Sequence, residues 1–192
     1  MESIDDQKLK KILIVSKELF WKHGFKRITI EEICNEANVS KMTFYKHFKN
    51  KKELVEFIIN NITDKAMKKY RKIMDSDITF PDKIKKTIDL KMEATKDISN
   101  EFLNDYIRYA DDEMLALFQQ NKNEIMGSIL NDYIEAQKKG EIRKDINPKF
   151  ILYFLNNLQE MVKDEQLEKM YDKPQDIIME LTNFFFYGIL PR

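Results

Sequence analysis

Glycine and proline are nearly absent from this chain, with four of each among 192 residues. Together they make up about 4% of the sequence, against roughly 12% in ordinary usage. A β-rich architecture needs a turn about every 8–12 residues, and this chain lacks the residues to build those turns. The same scarcity excludes glycine-rich phosphate loops, collagen-like repeats and long flexible linkers. It leaves an all-α fold of about nine helices, punctuated by the few glycines and prolines present.

The spacing of apolar residues places those helices. Leu9, Ile12, Leu13, Ser16, Leu19 and Phe20 recur at helical intervals, and Gly24 follows where a left-handed residue ends a helix. Thr29 stands three residues before Glu32, a capping-box pattern. It opens a short helix with Ile30, Ile33, Cys34 and Ala37 on one face. Asn38, Val39 and Ser40 interrupt it, and Ser40 caps another short helix to about Phe48. Asn50 with Glu53 repeats the capping pattern at the start of a long helix through Leu54, Ile58, Ile62, Met67, Tyr70 and Met74. Pro81 suits the first turn of the next helix, with Ile84, Ile88 and Met92. Asp111 and Asp112 open a long helix that closes at Lys138, Lys139 and Gly140, and Pro148 and Pro174 begin the last two.

The overall charge of zero, 33 basic against 33 acidic residues, conceals a division. Residues 1–72 hold 17 Lys and Arg against 10 Asp and Glu, a net of +7, and the remainder holds 16 against 23, a net of −7. A basic head of this kind attracts phosphates. The single cysteine, Cys34, excludes an internal disulfide and any multi-cysteine zinc site. His23 and His47, the two histidines, are too far apart to suggest a metal pair, so no metal or other cofactor is expected. No nucleophile–base arrangement or carboxylate dyad points to an enzyme. Apolar runs fall short of the ~18–20 residues of a membrane span, and no targeting segment is visible. A reducing, cytoplasmic setting without membrane contact is expected.

Residues 29–48 are the most specific part of the chain. Two short helices joined by a brief turn form a helix-turn-helix, whose second helix has the size of a DNA major groove. Phe44 and Phe48 lie four residues apart and can pack inward, so Lys41, Met42, Tyr45 and Lys46 project outward together. They supply donors for phosphates and base edges, and an apolar group for a thymine methyl. Lys49, Lys51 and Lys52 add a basic cluster. The bland alternative is an ordinary helical hairpin with solvated charges. In either case Cys34, on the apolar face of a short helix, reads as core and His23 as a helix-end residue.

The run from Thr29 to Leu54, T-I-E-E-I-C-N-E-A-N-V-S-K-M-T-F-Y-K-H-F-K-N-K-K-E-L, resembles the TetR family of transcriptional repressors. The likeness is dense over about residues 8–55; beyond it only the helix count and Gly140 with Asn147 and Pro148 correspond. The resemblance implies a DNA-binding domain at residues 1–50 and an effector-binding and dimerisation domain at 51–192. By the same resemblance Thr29 caps the second helix against the DNA backbone, and Ser40 and Lys41 begin the recognition helix. Thr43, Tyr45 and His47 would meet bases or phosphates, and Lys51 a phosphate. Met42 departs from the pattern, standing where the family often has a small residue, so the operator sequence does not carry over.

Two further groups are candidates. Met92, Phe102, Tyr106, Tyr109, Phe118, Met126 and Tyr133 could line a ligand cavity, as the family's effector domain does, or be plain core. Phe150, Phe154 and Leu158, with Ile177, Leu181, Phe184 and Phe185, make the last two helices apolar beyond a single stripe. A homodimer interface would cover them, and so would burial within one subunit. The reading is a ligand-responsive regulator, a repressor released from a palindromic double-stranded DNA operator by a small apolar or amphipathic effector. The alternative is a helical small-molecule-binding module without operator binding.

Overall fold

A computed structural model describes residues 4–108, 112–162 and 164–191, with the side chains of 107, 108, 112–122, 124, 159 and 160 outside that description. Among these residues there are ten helices and no strand. They are α1 Ile4–His23, α2 Ile30–Glu36, α3 Lys41–His47, α4 Lys51–Met74 and α5 Phe80–Ala94, followed by α6 Asn100–Arg108, α7 Asp112–Lys138, α8 Pro148–Val162, α9 Glu165–Glu168 and α10 Pro174–Ile189. The all-α expectation holds, with α9 as the addition. It is one turn, capped by Asp164, whose carboxylate accepts from the amides of Gln166 and Leu167. Four residues carry no hydrophobic period to read. No described helix is long and apolar enough to cross a membrane.

The chain divides into two compact units, Met1–Asp64 with Asp97–Tyr109, and Lys65–Lys96 with Ala110–Arg192. The first unit includes part of α4 and all of α6 besides the residues up to 50. The first unit packs Ile12 and Phe20 of α1 with Ile28, Ile33, Cys34, Phe44, Phe48 and Leu54, all buried. Burial pushes the Cys34 thiol above its ordinary pKa, as befits a core cysteine. The turn after α1 needs Gly24, whose φ is +75°. Asn38, at φ +53°, makes the bend between α2 and α3, a conformation asparagine tolerates better than most side chains.

Helix α6 joins this unit through aromatic contacts. The Phe102 ring lies 4.2 Å from Trp21, centroid to centroid, and edge-on to Phe25. The Ser99 amide donates to the Trp21 carbonyl at 3.0 Å. Buried Asp105 accepts from the Lys26 amide at 2.7 Å, which pins the loop after Gly24 to α6.

The second unit has its own core, in which Phe80, Ile84, Tyr133, Ile142, Ile151, Phe185, Phe186 and Ile189 are buried together. Asp132 of α7 anchors α4, accepting from the Tyr70 hydroxyl at 3.0 Å and forming an ion pair with Arg71. The Gln175 side-chain amide donates to the Met92 carbonyl at 2.8 Å and fastens the start of α10 to α5.

Candidate functional site

Helix α3 is set by the residues at its ends and its inner face. The α2 capping box is complete: the Glu32 amide donates to Thr29 Oγ1 at 3.1 Å, and the Thr29 amide to Glu32 Oε2 at 2.7 Å. These Thr29 bonds, the backbone one foremost, hold the Glu32 carboxyl below the usual range. Ser40 caps α3, its hydroxyl accepting from the Thr43 amide at 3.1 Å and pairing with the Thr43 hydroxyl at 3.0 Å. Phe44 and Phe48 are buried, which turns the opposite face outward. On that face Met42 is 82% and Tyr45 55% exposed, flanked by exposed Lys41 and Lys46.

Both lysines are held in salt bridges. Lys41 donates to Glu31 at 2.8 Å and Lys46 to Asp5 at 2.6 Å. The Lys46 hydrogen bond lowers the Asp5 carboxyl below its ordinary value, and the Lys41 bond does the same for Glu31. Exposed pairs of this kind contribute little net stability, so a phosphate can replace either carboxylate. His47 is not on the outer face: its side chain is only 16% exposed, 3.7 Å from Asp5. Lys51 donates to the carbonyls of Lys26 and Ile28 at 2.8 and 2.7 Å. That leaves one of its three N–H bonds for a phosphate. The sequence shows Lys51 as a basic residue but not that it clamps the preceding loop.

A partly open cavity of about 330 Å³ lies within the second unit. Ala66, Met67 and Tyr70 of α4 line it with Leu90, Lys91 and Ala94 of α5, and Met126 and Tyr133 of α7 face Leu158 of α8 and Phe185 of α10. Of the expected lining, Met126 and Tyr133 are there. Met92 is half exposed outside it. Phe102 and Tyr106 stack on each other in the first unit, where Phe102 packs on Trp21. Tyr109 and the side chain of Phe118 lie outside the described residues. Lys91 was missed, although it falls seven residues after Ile84, in register with the apolar stripe of α5.

Helices α8 and α10 split their apolar residues between two faces. Ile177 and Phe185 are buried in the subunit, which corrects their expected place on an exposed interface; Phe185 also lines the cavity. Phe154, Leu158 and Leu181 are half-buried. Phe150, Tyr153, Phe184 and Tyr187 remain 54–73% exposed. Phe185 and Phe186 point inward from the same helix, so Phe184 and Tyr187 must point out. Among the described residues, no group of three or more His, Cys, Asp or Glu is placed to hold a metal ion.

Comparison with known proteins bears on this arrangement. Residues 12–58 match the family described as bacterial regulatory proteins, tetR family. The HTH-type transcriptional regulator UidR of Escherichia coli (strain K12) is 27% identical over 140 residues, covering 71% of this chain and 70% of that protein. The HTH-type transcriptional regulator QacR of Staphylococcus aureus (strain Mu50) is 31% identical over 129 residues, 66% of this chain and 64% of the other. Among solved structures, the regulatory protein TetR from Rhodobacter sphaeroides has the same fold, with a TM-score of 0.75 at 17% identity over 95% of this chain and 99% of that one.

Proposed function

This chain belongs to the TetR family of bacterial transcriptional regulators, and on that premise we propose that it is a cytoplasmic homodimeric repressor, released from a palindromic operator by a small amphipathic effector. The observation that carries the reading is the outer face of α3. Exposed Lys41, Met42, Tyr45 and Lys46 stand on a helix fixed from behind by buried Phe44 and Phe48. A short helix so held enters a major groove with its base-facing side chains pre-aligned.

The exposed aromatics of α8 and α10 support the dimer. Phe150, Tyr153, Phe184 and Tyr187 form apolar surface that a second copy would cover. Two-fold symmetry would present two α3 helices to half-sites about 34–36 Å apart or a multiple of that spacing. The cavity supports effector sensing. Helix α4 belongs to both units by chain continuity: residues 51–64 lie in the first, and Ala66, Met67 and Tyr70 line the cavity of the second. An effector that favours one setting of α4 shifts the DNA-binding equilibrium by its differential affinity, typically ~1–3 kcal/mol.

The test is to select bound fragments from the genome of the source organism with purified protein and footprint them. A protected, two-fold symmetric site is the expected result. Binding no tighter than to random DNA of equal length would refute operator recognition and leave the small-molecule-binding module.

A further inference from the structure

The polar groups of the cavity wall are not equivalent. The Tyr70 hydroxyl donates to Asp132. The hydroxyls of Thr87 and Thr182 donate to carbonyls of their own helices, those of Lys83 and Ile178, at 2.9 and 2.6 Å. Two polar side chains remain without a protein partner among the described residues: the ammonium of solvent-exposed Lys91 and the hydroxyl of Tyr133, a residue 3% exposed overall. None of the described lining residues carries a carboxylate. The neighbouring carboxylate of Asp132 is engaged by Tyr70 and Arg71 and does not neutralise Lys91.

We infer that the effector is an organic anion with an apolar body, its acidic group pairing with Lys91 and an acceptor atom meeting the Tyr133 hydroxyl. The inference rests on the cavity being the effector site. A ligand that displaces water from a charged or hydroxyl group of the wall must supply a partner in its place, because the lost solvation is otherwise costly. A cationic ligand would add repulsion, and a neutral one would leave the ammonium uncompensated. A carboxylate or sulfonate would satisfy it with charge-assisted hydrogen bonds, about twice as strong as neutral ones. Lys91 is exposed to solvent and lines the cavity, so its ammonium is hydrated in the unliganded protein, and a ligand anion would oppose the desolvation that lowers its pKa. Burial raises that of Tyr133, which keeps its hydroxyl a donor. The remaining wall, with Met67, Leu90, Met126, Leu158 and Phe185, suits an alkyl or aryl body, and about 330 Å³ is at the small end of ligand sites.

The test compares octanoate, octanol and octylammonium by titration calorimetry on the full-length protein. Octanoate should bind the wild type at least about tenfold more tightly than either of the others. Lys91→Met, which keeps the apolar stem, should abolish that preference, and Tyr133→Phe should weaken octanoate binding by a smaller factor. Circular dichroism melting checks that both variants fold. Equal binding of octanol or octylammonium to the wild type would overturn the anion assignment and leave the cavity as a ligand site. Preference for octanoate surviving in Lys91→Met would overturn it too. Binding of none of the three would overturn both. Anisotropy of labelled operator DNA separates sensing from binding: octanoate bound without release refutes the sensing mechanism and leaves the anion assignment standing.

Discussion

Replacing Gly24 with alanine tests how α6 is joined to the DNA-reading unit. At φ +75° a Cβ is strained wherever it points, and the left-handed conformation costs an L-residue about 1–2 kcal/mol. Here the Cβ would also collide with Asp105 Oδ2 and lie 3.1 Å from the Glu101 carbonyl oxygen. The backbone oxygen cannot yield without moving α6, so the Asp105 carboxylate must swing away. It would then give up the bond from the Lys26 amide, a bond to a charged group worth about 1.5–3 kcal/mol. The expected destabilisation is the sum, about 2.5–5 kcal/mol. Asp105→Ala removes the colliding oxygen, so adding Gly24→Ala to that variant should cost only about 1–2 kcal/mol. Urea unfolding followed by tryptophan fluorescence measures both. Trp21 is the single tryptophan and lies against Phe102 of α6, within the same contact. An equal cost in the two backgrounds would show that Asp105 does not fill the space beside Gly24.

Three other substitutions probe separate parts of the molecule. Met42→Ala, at a position 82% exposed, should change stability by less than about 0.5 kcal/mol. In binding to operators varied one base at a time, it should relax selection at one base pair by about 1 kcal/mol, the worth of one lost apolar contact. Phe184→Lys should give folded monomers in sedimentation velocity, since burying about 150 Å² of each ring is worth roughly 4 kcal/mol per subunit; an intact dimer would move the interface elsewhere. Asp5→Asn should raise affinity for non-specific DNA at low salt by releasing Lys46. The lowered Asp5 pKa fixes the sign of the pH effect: the pair persists through the ordinary carboxylate range and is lost only as pH falls through the lower folded value. Acidification to that point should therefore reproduce the variant, as anisotropy titrations can check.

Local chemistry was the most legible part of the sequence. Thr29 with Glu32, Ser40 before Lys41, Gly24 after His23 and Pro174 at the start of α10 each mark a helix end, because a cap is a contact within a few residues. The outward set on α3 followed from helical periodicity once Phe44 and Phe48 were placed inside. Long-range pairings were not legible. Phe102 and Tyr106 have the aromatic character of a cavity wall, and only the fold shows Phe102 against Trp21 and Phe25. The Phe184–Tyr187 run is apolar on every side, so nothing local separates buried Phe185 and Phe186 from exposed Phe184 and Tyr187. Lys91 left a trace as a lysine on an apolar stripe, and Asp105, three residues after Phe102, left one of the same kind. Asp105 is buried and holds the loop after Gly24, and Lys91 lines the cavity.

The central claim is that the outer face of α3 reads DNA. Its most direct test is a footprint of the Tyr45→Ala/Lys46→Ala variant on a fragment that the wild type protects. Both positions are exposed, so helicity and dimerisation should be unchanged while protection disappears. Protection retained at the wild-type protein concentration would contradict the claim.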